Sequence, residues 1–185
     1  MAETGTLRDV FVDELKDVYN AERQITKALP KMIKAAQSEE LREALQNHLE
    51  ETETQIDRLD RVFDSIEVPA RGKHCAGMAG ILEEGSGVLQ ENLPESVRDA
   101  ALIAAAQRVE HYEMAAYGTL VAFARELGLD SAVELLEEIL EQEKAADEKL
   151  TTLAEGGINA AAAQPAAEVA HAGAGRSSAR NKASR

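Results

Sequence analysis

The stretch QRVEHYEMAAYGTL, residues 107–120, poses the problem on which the fold turns. It lies in a segment dominated by Ala, Leu and Val, yet it carries Glu110 and Glu113 at i, i+3. On a helix that spacing stacks two carboxylates on one side. Val109, Ala116 and Leu120 turn the same side inward. Two carboxylates buried together cannot both stay charged without a partner. Whatever neutralises them must come from the rest of the chain or from an ion.

Outward from this segment, four long stretches show helical period. The first runs from Thr6, an N-cap, to about Ala36, with an inward stripe of Leu7, Phe11, Leu15, Val18, Ile25, Leu29 and Met32. Pro30 inside it predicts a bend or a division. The second starts at the capping Ser38 and runs to about Ser65, with Leu41, Leu45, Leu49, Ile56, Leu59 and Phe63 inward. Residues 66–96 break the pattern: Val68-Pro69 opens a connection, and residues 73–91 predict a short helix weakened by Gly. The third long helix starts at Asn92-Leu93-Pro94 and ends at Gly128. The fourth takes Asp130 as its N-cap, turns Val133, Leu136, Leu140 and Leu150 inward, and stops at Gly156-Gly157.

Short links join helices one to two and three to four, and a long one joins two to three. That pattern predicts an all-α, ferritin-like antiparallel four-helix bundle, built of two helical hairpins with a long crossover and a short extra helix. The bundle would occupy residues 1–155. Residues 156–185 are Ala- and Gly-rich, with no aromatic residue, and cannot bury enough surface to order themselves. They carry Glu168 against Arg176, Arg180, Lys182 and Arg185, a net +3, and are predicted to be a disordered basic tail.

The composition agrees with a helical protein: 44% of the 185 residues are hydrophobic but only 3% are aromatic. The chain has no run of 18 apolar residues, so a membrane span is not expected. The start MAETGTLRDVF has neither a basic nor an apolar leader region, and Cys75 has no partner cysteine, which together favour a cytoplasmic location. A net charge of −14 argues against nucleic-acid binding, except weakly through the tail.

Placed at 100° per residue, unexpected acids fall on or beside every inward stripe: Glu22 on the first helix, Glu51 with His48 on the second, Glu110 and Glu113 on the third, Glu143 and Asp147 on the fourth. Any one of them alone would read as a boundary residue. All four helices contributing acids at a common height is harder to explain that way, because several unpaired buried carboxylates would unfold a domain stable by only about 5–15 kcal/mol. Inward Lys or Arg are too few to pair with them, whether within a chain or across a dimer contact. Divalent or trivalent metal is the remaining neutraliser, and carboxylate plus imidazole suits iron or manganese. Di-iron bundles ordinarily use Glu-x-x-His. Here the order on the second helix is reversed, His48 before Glu51, and Ala146 stands on the fourth where a His would be expected.

The stretches VYNAERQITKALPKM, NHLEETETQIDRL, AALIAAAQRVEHYEMAAYGTL and LEEILEQEKAADEKL resemble the YciE/YciF family of ferritin-like stress proteins over about residues 5–155. The resemblance implies a four-helix bundle with a fifth short helix, a homodimer, and kinship with rubrerythrins and manganese catalases. Rubrerythrin similarly has Glu-x-x-Glu on its third helix, which Glu110 and Glu113 match. The expected function is a stress-response oxidoreductase of catalase or peroxidase type, holding two iron or manganese ions per chain and consuming hydrogen peroxide or oxygen. Two ions about 3.5–4 Å apart would clamp both oxygens of a peroxide. In that reading Glu22, His48, Glu51, Glu110, Glu113, Glu143 and Asp147 are the metal ligands. The alternative is a non-catalytic metal-binding or structural stress protein, tethered through its basic tail.

Overall fold

The computed structural model describes residues 5–164, all of whose regular elements are helical. Helix α1 spans Leu7–Ala35, α2 Glu39–Ser65, α3 Ala76–Gln90, α4 Glu95–Glu126 and α5 Asp130–Leu153. A π-helical turn, Ala154–Ile158, leads into the short α6, Asn159–Ala162.

Local chemistry starts the first two helices where the sequence expects. Thr6 and Asp9 form a reciprocal capping box at α1, and the Ser38 hydroxyl accepts from the Leu41 amide at α2. Pro30 does not divide α1, which runs unbroken through it. Asp130 is the first residue of α5 rather than its cap; the cap position is Leu129, with no side-chain bond. The third long helix begins at Glu95, with Pro94 at its cap. On α5 the buried set is Ala132, Leu135, Leu136, Ile139, Glu143 and Leu150, whereas Val133 and Leu140 are only half-buried. Leu136 and Leu150 of the expected stripe are thus buried, and Val133 and Leu140 pack against the edge of the core.

Helices α1 and α2 pack as one hairpin and α4 and α5 as another, with α1 against α4 and α2 against α5. The crossover decides the directions. Arg8 at the start of α1 donates to the Ile66 carbonyl just past α2 at 3.0 Å. The link then climbs along α1: the Lys73 amide bonds the Lys16 carbonyl, the Cys75 amide bonds Asn20, and Gln24 bonds the Cys75 carbonyl. Helix α3 continues over α1 and α4. Helix α4 begins beside the α1–α2 turn, where buried Asp99 accepts from the Gln37 amide at 2.9 Å and the Ser38 amide at 2.7 Å. Every adjacent pair of long helices is thus antiparallel. The bundle is the ferritin-like one expected.

Gly157, at φ 150°, kinks the chain, and the Ala-rich segment after it forms α6, packed on α4. Glycine permits that backbone where a side chain would be strained, and alanine favours helix. Most of the predicted tail, residues 165–185, lies outside the described residues.

Two apolar cores fill the bundle. One contains Phe11, Leu15, Val18, Leu59, Phe63, Tyr117, Leu120 and Leu136; the other contains Ile25, Leu29, Leu41, Leu45, Leu102, Val109 and Leu150. The residues between them along each helix form a polar layer.

Candidate metal centre

Four helices build this layer from their middles. Glu22 comes from α1; His48, Thr52 and Gln55 from α2; Glu110 and Glu113 from α4; Glu143 from α5; and all are buried. His48, Glu110, Glu113 and Glu143 each place one ligand atom within 4.8 Å of all the others. The His48 Nε2 lies 3.3 Å from Glu110 Oε1.

Neighbouring side chains hold the layer in place. The Tyr117 hydroxyl donates to Glu22 Oε1, and the Gln55 amide donates to Glu143 Oε1. Thr52 turns its hydroxyl back to the His48 carbonyl at 2.8 Å, leaving the imidazole free. Several atoms of the layer have no hydrogen-bond partner among the described residues: Glu22 Oε2, Gln55 Oε1, Glu110 Oε2, both oxygens of Glu113, Glu143 Oε2 and both nitrogens of His48. Buried polar atoms without partners are rare in native proteins. The carboxylate oxygens together with His48 Nε2 form a donor set able to hold a cation.

Electrostatics agree. Burial, with the Glu143 carboxyl beside it, pushes Glu22 up to about 8. Burial followed by Glu143 raises Glu110 well above the usual carboxylate range, and burial followed by Glu22 and Glu143 does the same to Glu113. Burial and Glu22 raise the Tyr117 phenol, which keeps its proton for the bond to Glu22. No Lys or Arg is buried among the described residues to offset these acids. Four carboxylates would be matched in charge by two divalent cations, and the carboxylate–imidazole donors suit iron or manganese. The residues therefore fit the expected metal pair.

Two of the seven candidate ligands stand apart. The Glu51 side chain is 46% exposed, with Oε2 3.9 Å from His48 Nδ1, on the outer side of the imidazole. Asp147 is half-buried on α5, near enough to raise Glu110, but it accepts from Gln107 at 3.1 Å and faces His111 Nε2 at 3.3 Å. One helical turn from Glu143 carries it past the edge of the layer. Tyr112 does not reach the layer either; it donates to Asp17 at 2.8 Å and meets the Cys75 sulfur at 3.0 Å.

The family called domain of unknown function DUF892 matches residues 6–163. The chain belongs to it. Protein YciF of Escherichia coli K12 is 48% identical over 155 residues, which cover 83% of this chain and 93% of that protein. The crystal structure of the E. coli stress protein YciF matches with a TM-score of 0.81, over 84% of this chain and 99% of that one, at 48% identity. YcfI of Rhodopseudomonas palustris, described as a candidate structural protein, matches with a TM-score of 0.79 and 46% identity, over 82% and 96% of the two chains. A protein from Xanthomonas campestris pv. campestris shares 25% identity and a TM-score of 0.66 over 85% and 96%. The DUF892 match ends at residue 163, close to the end of α6.

Within this YciF-like bundle, the supporting residues were harder to read than the acids. Gln55 borders the stripe in sequence, but its bond to Glu143 depends on α2 meeting α5, 88 residues away. Asp99 gave no signal at all, because its partners are backbone amides 61 and 62 residues earlier in the chain.

Proposed function

We propose that this chain is a di-metal stress-response protein of the cytoplasm. It holds two iron or manganese ions and consumes hydrogen peroxide or oxygen, as a homodimer. The observation that carries the reading is the set of unpartnered donor atoms from Glu22, His48, Glu110, Glu113 and Glu143 in one buried layer. When bound, the ions would supply one-electron redox chemistry and polarise the oxygens of a small oxidant.

The chain's own residues have definite tasks in that reading. Glu113, with both oxygens unpartnered and the other acids around it, would hold the ions from α4. Glu22, Glu110 and Glu143 would hold from the sides, and His48 would close the donor set from α2. Tyr117 and Gln55 each fix one oxygen of a ligand, so that the other faces inward. Without metal, burial and mutual repulsion favour the protonated forms of Glu22, Glu110 and Glu113, so metal binding is accompanied by proton release.

The decisive experiment is metal analysis of unchelated protein, paired with a peroxide-consumption assay. Two ions per wild-type chain are expected, and Glu113→Ala should lose one or both. Full metal retention by that variant would refute the ligand assignment. A second reading, in which metal is held without turnover, draws support from the description of the Rhodopseudomonas relative as a candidate structural protein. Metal-loaded protein that leaves peroxide untouched would favour it.

A further inference from the structure

A cleft of about 230 Å³ opens between α2 and α5 and ends on the polar layer. His48 and Glu110 form its floor. Asn47, Glu51 and Lys149 stand among its lining, and Ala145 and Ala146 wall the α5 side with no more than a methyl group each. A larger cleft of about 430 Å³ between α1, α3 and α4 touches none of the buried acids.

Donor atoms lead inward through the smaller cleft in short steps. Exposed Glu51 Oε2 is 3.9 Å from His48 Nδ1, and His48 Nε2 is 3.3 Å from Glu110 Oε1. His48 is itself only 6% exposed, and neither of its ring nitrogens has a hydrogen-bond partner among the described residues. An imidazole with both nitrogens free, between an outer and an inner carboxylate, can take a cation on one side and face the layer on the other.

We propose that this cleft is the passage by which a divalent cation reaches the buried carboxylates. Glu51 is its docking ligand at the mouth, and His48 is the residue that hands the ion inward. The proposal rests on the metal-holding reading above and assigns Glu51 a transit role in place of a resident one. Lys149 makes no ion pair among the described residues and lines the same cleft. Its positive charge opposes the incoming ion and sets a brake on uptake.

The test follows cobalt(II) uptake by metal-stripped, full-length protein through the cobalt absorption bands, with release to a chelator measured separately. Glu51→Ala should slow uptake about three- to ten-fold, at the lower end of what charge at a cleft mouth contributes to association, with final stoichiometry unchanged. Ala146→Phe, which fills the cleft from a half-exposed helix position, should slow uptake and release together. Lys149→Ala should speed uptake, and Glu141→Gln, on the exposed face of α5, should match wild type. Wild-type rates in both Glu51→Ala and Ala146→Phe would overturn the passage. Loss of final cobalt in Glu51→Ala would also overturn it, by making Glu51 a resident ligand. A wild-type chain that takes up no cobalt would overturn the metal-holding reading itself.

Discussion

Glu22 is buried, has the Glu143 carboxyl beside it, and receives one hydrogen bond from Tyr117; burial dominates, and the carboxyl rises from an ordinary 4.5 to about 8. A group whose value is higher in the folded chain binds more protons there than in the unfolded chain. Its contribution to stability is therefore full below about 4.5 and is lost as pH rises through about 8. Glu110 and Glu113 are raised in the same direction. Chelator-treated protein should accordingly melt several degrees lower at pH 8.5 than at pH 5.5, a difference read by circular dichroism. Saturating manganese should remove most of that slope. The sign is opposite to that of a salt-bridged carboxylate, so a melting temperature that climbs with pH in stripped protein would contradict the buried, unpaired geometry. Much of the layer was legible residue by residue, because an acid on an apolar stripe stands out. The fates of Glu51 and Asp147 were not, since a residue three or four positions from a buried one shares its side of the helix but sits a turn further along, beyond a layer one turn thick.

At the scale of elements, the joint between α4 and the α1–α2 turn rests on Asp99. Its two oxygens accept from the Gln37 and Ser38 amides, backbone donors at the start of α2 that have no helical partner of their own. Asp99→Ala should cost about 1–3 kcal/mol, the usual penalty for leaving such donors unmet in a buried place. The midpoint of urea unfolding should fall with its slope unchanged, while metal stoichiometry stays at the wild-type value. Helix existence and order were readable from period alone, and the caps at Thr6 and Ser38 were too, since a short hydroxyl side chain before an apolar run has a local meaning. The glycine pair at residues 156 and 157 was readable as the break after α5, but not that the Ala-rich segment beyond it resumes a helix and docks on α4. Leu135 and Ile139 escaped for a related reason: each adjoins another hydrophobic residue, Leu136 or Leu140, and period alone cannot rank the members of such a pair.

For the whole molecule, the polar layer divides one long bundle into two apolar cores, and its stability depends on what occupies the divide. A ligand that binds only the folded chain stabilises it by about 2.7 kcal/mol at a hundredfold excess over its dissociation constant. For a domain of this size that raises the melting temperature by about 5–10 °C. Manganese added to stripped protein should produce this shift, and calorimetry with and without a chelator measures it; no shift at any concentration would mean that the acids are neutralised by protons alone. The alternation of helix directions bears on the same point. Because neighbours run oppositely, the partial positive charge of each helix's first turn is met at once by the partial negative charge of the next helix's last turn, and both fade within a turn of the ends. Glu22, Glu113 and Glu143 sit several turns from any terminus. The peptide scaffold, whose oriented dipoles cradle anions in so many proteins, is electrically silent at this depth, and the acids placed there must be answered by protons or by a visiting ion.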